Sequence, residues 1–122
     1  MSRKNLKTTN PELMRLVRLL RKAARENKAN IWRTVAEYLS KHRRRRIAVN
    51  VSRINRYTKD GDAVVVPGKV LGAGLITHPI KVAALDFSEQ ARQKIIKARG
   101  KCLSIPELIK LNPRGSNVKI IG

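Results

Sequence analysis

Acidic residues are scarce in this chain: 8 Asp and Glu stand against 28 Lys and Arg, a formal net charge of +20 with both histidines neutral. A folded monomer of this size exposes only ~6,600 Å² over which to spread that charge, so an anionic partner is expected wherever the charge clusters. The one cysteine, Cys102, rules out an internal disulfide, and with only His42 and His78 beside it the familiar zinc-ligand spacings are missing as well. Aromatics make up 3% of the residues, namely Trp32, Tyr38, Tyr57 and Phe87, without the Lys/Arg-Gly-Phe signature of a sheet that stacks bases. Apolar runs such as Ala63–Val66 fall far short of the ~20 residues that cross a bilayer. No apolar stretch or small-residue cleavage site follows the basic N-terminus, so a cytoplasmic protein is expected.

What the chain does have is enough apolar residues, 42%, to build a core in spite of its charge. Its 122 residues fit one domain. Residues 1–61 carry a net +14 and residues 62–122 a net +6, so the halves differ in task. Residues 1–9 read as a basic arm ordered by a partner, with an extended reach of ~30 Å. The remainder, 10–122, reads as the folded body.

Asn10 and Pro11 predict a helix start, and Leu13, Leu16, Val17, Leu20 and Ala24 then recur on one face, with Arg15, Arg18, Lys22 and Arg25 on another. A second helix is expected from Asn30, burying Ile31, Trp32, Val35, Ala36 and Leu39 and ending before Lys41. Residues 49–57 offer both strand and helix signals, and a short helix capped by Asn50, with Val51, Ile54 and Tyr57 inward, is preferred. Ala63–Val66 reads as a buried strand stopped by Pro67-Gly68, and Ile80–Leu85 as another. Ser88–Ala98 is expected to be helical, Lys101–Leu103 a strand, Ser104–Leu111 a helix opened by a capping box, and Val118–Ile121 a last strand. Alternation of this kind predicts an α/β fold: a single small domain with a largely parallel sheet, N-terminal helices and basic extensions.

Between Glu37 and Asp60 there is no acid, yet Lys41, Arg43, Arg44, Arg45, Arg46, Arg53, Arg56 and Lys59 supply eight positive charges. Arginine suits phosphate because its planar guanidinium forks onto two oxygens and stays charged. A solvated loop or a localisation signal is the plainer reading of such a run, but the charge of the whole chain favours nucleic acid. Pro67–Gly74 is only a weak match to a phosphate-gripping loop: it lacks the Gly-Lys-Ser/Thr ending, and a turn that also touches phosphate is expected. No Ser, His and acid arrangement and no acidic motif supports catalysis. Trp32 and Cys102 read as core residues.

Thr9-Asn10-Pro11-Glu12-Leu13, the arginine run leading to Val49-Asn50-Val51-Ser52-Arg53-Ile54, Val64–Gly72, Val82–Ser88 and Asn112-Pro113-Arg114-Gly115-Ser116 stand in an order and spacing that closely resemble the large-subunit ribosomal protein family L-eighteen-e in its short archaeal form. The resemblance runs from about residue 8 to residue 121. It implies a structural, non-enzymatic component that binds large-subunit ribosomal RNA beside neighbouring ribosomal proteins, with a fold shared with the bacterial-type L-fifteen family. By position it implies RNA contacts at Arg3, Lys4, Lys7, Lys41, Arg43, Arg44, Arg45, Arg46, Asn50, Arg53, Lys69 and Arg114. No cofactor, metal, membrane or small-molecule substrate is expected. A DNA-binding chromatin or regulatory protein and a small basic RNA enzyme are the competing classes; the first should show one recognition helix and a dimer seam, whereas the charge here lies largely in a loop and an arm.

Overall fold

The computed structural model describes residues 11–41, the side chain of Lys41 excepted, and residues 47–122. The basic arm, the proposed Asn10 cap and His42–Arg46 lie outside the described residues. Helix α1 (Pro11–Asn27) and helix α2 (Asn30–Lys41) open the fold. Strand β1 (Ile47–Asn50), helix α3 (Val51–Arg56), strand β2 (Ala63–Leu71) and strand β3 (Lys81–Phe87) follow. Helix α4 (Glu89–Lys97), strand β4 (Lys101–Ser104), helix α5 (Ile105–Leu111) and strand β5 (Val118–Ile120) complete it.

The apolar periodicity of α1 and α2 is realised as predicted. Leu20 and Ala23 of α1 and Trp32, Val35, Ala36 and Leu39 of α2 are buried together, while Leu13, Leu16, Val17 and Ala24 pack against them. Between the two helices the chain turns on Lys28, whose φ of 52° is left-handed, and the amide of Ala29 donates to the carbonyl of Ala24 at 3.0 Å. This is the six-to-one closure that usually falls to glycine. Helix α2 runs one residue further than expected and includes Lys41.

Every strand pairing is parallel, in the order β1-β2-β3-β4, with β5 also on β2. One flank of β2 is shared: β5 pairs with Ala63–Val65 and β1 with Gly68–Leu71. The expectation that Pro67-Gly68 stops this strand is therefore overturned, since β2 runs through both residues. Proline lacks an amide hydrogen, but Pro67 falls between the two partner registers and at the register shift between Val66 and Lys69 on β3, where the ladder is already interrupted. Gly68 is required for another reason, because a Cβ there would lie 2.1 Å from the carbonyl oxygen of Ile47.

The preference for a short helix following Asn50 holds, since α3 begins at Val51 with Asn50 at its N-cap position, while Val49 and Asn50 also end β1. Val51 and Ile54 are buried as expected, but Tyr57 faces outward. The sheet is covered on both sides. Val65, Ala83, Leu108 and Ile109 join the α1–α2 core on one face, while Val64, Val66, Val70, Val82, Ala91 and Ile95 form the core under α3 and α4 on the other. Ser88 caps α4 by accepting from the Ala91 amide at 3.1 Å, and Ser104 and Glu107 make the predicted capping box of α5.

Candidate nucleic-acid interface

Arg3, Lys4, Lys7, Arg43, Arg44, Arg45 and Arg46 lie outside the described residues, but the roots of the arginine run are placed. It leaves α2 at Lys41 and rejoins the sheet at Ile47. Gly122 packs at that rejoining point, where a Cβ would lie 3.3 Å from Ile47 Cδ1 and 3.7 Å from both Pro67 and Tyr38. Arg53 Nη2 donates to the carbonyl of Gly122 at 3.3 Å, which brings this candidate beside the end of the run. Lys69 is close too: it pairs in register with Ala48 of β1, is exposed, and has its ammonium 3.9 Å from Asp86. An exposed pair at that distance leaves the lysine available to a phosphate at little cost.

Asn50 does not cap its own helix. Its side-chain Oδ1 instead accepts from the Ala73 amide at 3.2 Å. The amide of Ser52 donates to the Ala73 carbonyl, and Lys94 Nζ donates to the carbonyls of Gly72 and Gly74, each at 2.6 Å. The 72–74 loop thus points carbonyls at a cation and has the Ala73 amide already committed. These bonds hold it as a turn, and Lys69 lies in β2, outside the loop.

Arg114 sits apart from this group. Its turn is closed by Asn112, which accepts from the Ser116 amide at 3.3 Å and donates to the Ser116 carbonyl at 2.9 Å. It is fixed to the start of α2, because Trp32 Nε1 donates to the Pro113 carbonyl at 2.7 Å. Gly115, at φ 65°, approaches Ile31 so closely that a Cβ would come within 2.3 Å of its Cγ2. Arg114 therefore projects beside the first turn of α2 while the arginine run departs from the last, a separation of ~17 Å along the helix.

The structure also places three sources of charge outside the implied contact set. Arg15, Arg18, Arg21, Lys22 and Arg25 are all exposed on α1, with Lys22 4.0 Å from Glu26. Their spacing around the apolar face was readable in the sequence. Arg56 and Lys59 are exposed beside Arg53, around the outward Tyr57. Lys119 is partly committed, with its Nζ donating to Asp62 Oδ2 at 3.1 Å and to the Tyr57 carbonyl at 3.0 Å. Asp62, which also accepts from the Lys59 amide, is held below the ordinary carboxylate range by that hydrogen bond first and by Lys119 second.

Catalytic chemistry has little to work with. Burial pushes the Cys102 thiol up, against a smaller opposing pull from Arg92, so the thiolate nucleophile is disfavoured. An open cleft of about 540 Å³ at the amino ends of β2, β3 and β5 is lined by Asp60, Asp62, Lys81, Asn112, Ser116 and Lys119, with no histidine or cysteine. Among the described residues no group of three or more His, Cys, Asp or Glu could hold a metal, and no helix is long and apolar enough to cross a membrane.

Residues 1–122 match the family model described as "Ribosomal protein 60S L18 and 50S L18e". The chain belongs to this ribosomal protein family. A Pyrobaculum aerophilum relative named large ribosomal subunit protein eL18 is 53% identical over 113 residues, covering 93% of each chain. Relatives of the same name are 50% identical in Archaeoglobus fulgidus, covering 95% of this chain and 99% of theirs, and 47% identical in Methanospirillum hungatei, covering 99% of both. The L18/L18e family is described as a ribosomal component and not as an enzyme.

Proposed function

We propose that this chain is a structural constituent of the large ribosomal subunit that binds and stabilises folded large-subunit ribosomal RNA through arginine and lysine contacts to phosphate. The observation that carries this reading is the match of all 122 residues to a ribosomal family. The eight cations without an acid between Glu37 and Asp60 supply the physical means. The contact residues are Arg3, Lys4 and Lys7 of an arm at 1–9, the run Lys41, Arg43, Arg44, Arg45 and Arg46, and Asn50, Arg53, Lys69 and Arg114 of the body at 10–122. The exposed arginines of α1 add to them. Asn50, whose Oδ1 holds the Ala73 amide, has its amide nitrogen left as the group to meet a sugar or base edge. The protein works in the cytoplasm within the large subunit, against RNA and neighbouring ribosomal proteins, and turns over no substrate.

The test is a binding titration against a large-subunit ribosomal RNA transcript over a salt series. Neutralising eight phosphates gives a log-log slope on the order of −6 to −7. Arg43→Ala with Arg44→Ala should weaken binding and flatten that slope by roughly 1.4–1.8 without changing the thermal transition. An unaltered slope removes the run from the interface. Release from large subunits in a mild salt wash, with equal affinity for duplex DNA, would overturn the ribosomal reading in favour of a DNA-binding one.

A further inference from the structure

The basic surface around α3 contains one open aromatic ring. Tyr57 follows the last residue of α3 and is 53% exposed, whereas Trp32 is fully buried. Its backbone is held on both sides: the amide donates to the Ile54 carbonyl at 3.3 Å, and the carbonyl accepts from Lys119 Nζ at 3.0 Å. The next residue, Thr58, is buried, with its hydroxyl donating to the Ile54 carbonyl at 2.7 Å and lying 2.7 Å from His78 Nε2. The ring therefore stands on a fixed base.

Two guanidiniums flank it. The Cζ atoms of Arg53 and Arg56 lie 5.8 and 5.9 Å from the ring centroid. A guanidinium lying flat on the ring would bring carbons to ~3.5–4 Å, so neither is in stacking contact with it. Lys59 is exposed two residues on. An exposed aromatic fixed at its backbone, ringed by cations and open to a planar partner, is the arrangement that stacks a nucleobase while holding its phosphates. The same cations disfavour a basic protein segment as the occupant.

We propose that Tyr57 is a stacking platform for a single unpaired RNA base, with Arg53 and Arg56 binding the phosphates that flank that nucleotide. The proposal rests on the RNA-binding reading above and deepens it, adding a base contact to an interface otherwise made of phosphate contacts.

The experiment uses the full chain and a large-subunit ribosomal RNA transcript, comparing wild type with Tyr57→Phe and Tyr57→Leu, together with zero-length ultraviolet crosslinking read by mass spectrometry. Phe keeps the stacking face and should bind within about twofold of wild type, while Leu should bind about 5- to 100-fold more weakly. The salt slope of the Leu variant should match wild type, since no phosphate contact is removed. Its thermal transition should match as well, because the ring is exposed. A crosslinked nucleotide should map to the peptide carrying Tyr57. Wild-type affinity in the Leu variant, crosslinks confined to other peptides, or an effect of Leu only on association with another subunit protein would each overturn the platform. Failure of the wild-type chain to bind the transcript would instead bring down the RNA-binding reading itself, and the platform with it.

Discussion

Trp32 and Pro113 lie 81 residues apart in sequence, yet the indole Nε1 of the first donates to the carbonyl oxygen of the second at 2.7 Å. This bond joins the first turn of α2 to the turn that carries Arg114, so a core residue sets the position of a surface cation. Trp32→Phe would leave the Pro113 carbonyl unsatisfied and the space of the second ring empty. The expected loss is ~2–4 kcal/mol, measurable as a drop in urea midpoint at constant m-value. Amide exchange at 112–117 should accelerate more than elsewhere; uniform acceleration would show that the bond does not hold this turn in particular.

Gly68→Ala places a methyl 2.1 Å from the Ile47 carbonyl oxygen, a backbone atom that cannot give way cheaply. Overpacking of this kind costs ~1–3 kcal/mol and here the strain falls on β1, the strand that receives the arginine run. Urea denaturation reads the loss, and exchange at Ile47–Asn50 reads its location. A variant as stable as wild type would mean that β1 does not lie in this register.

Two carboxylates tie stability to acid pH. Asp62 is lowered from 3.8 by the Lys59 amide and Lys119, and Glu107 is lowered from 4.5 by its hydrogen bonds to Ser104. Since the folded-state values lie below the unfolded ones, their contribution is complete above those ordinary values and disappears as pH falls through the depressed folded values. A plot of unfolding free energy against pH should therefore decline below about pH 4.5, and the decline should shrink in Asp62→Asn and Glu107→Gln. An identical acid limb in both variants would contradict the assignment.

Lys28 adopts φ 52° at the end of α1, a conformation that costs a side chain ~1–2 kcal/mol and glycine almost nothing. Lys28→Gly should raise the thermal midpoint, with a gain held to about 1 kcal/mol by glycine's greater unfolded-state entropy. A lowered midpoint would imply that the lysine side chain makes a stabilising contact outweighing the backbone strain.

Local signals in the sequence were reliable wherever the physics was local. The apolar spacing of Leu13 to Ala24 and of Trp32 to Leu39 and the Ser104–Glu107 box all appear where expected, because each depends on residues within a turn or two. Pro67 misled because its tolerance comes from two strands distant in sequence, β5 and β1, dividing the flank of β2 on either side of it. Asn50 carries the composition of a cap but is recruited by Ala73, 23 residues away. For the interface, charge clustering was legible from composition alone. The grouping of Arg53 and Lys69 around β1, the separation of Arg114 and the outward ring of Tyr57 were not, since each is set by tertiary packing.

The divided flank of β2 also bears on biogenesis. Until Val118–Ile120 has left the peptide exit channel, Ala63–Val65 would stand with β3 on one side and open main-chain donors and acceptors on the other. A half-made chain is consequently adhesive at its centre. Completing this sheet waits for β5, the fifth strand in chain order, and a delay there is when a chaperone, or a misplaced strand from a neighbour, would find it.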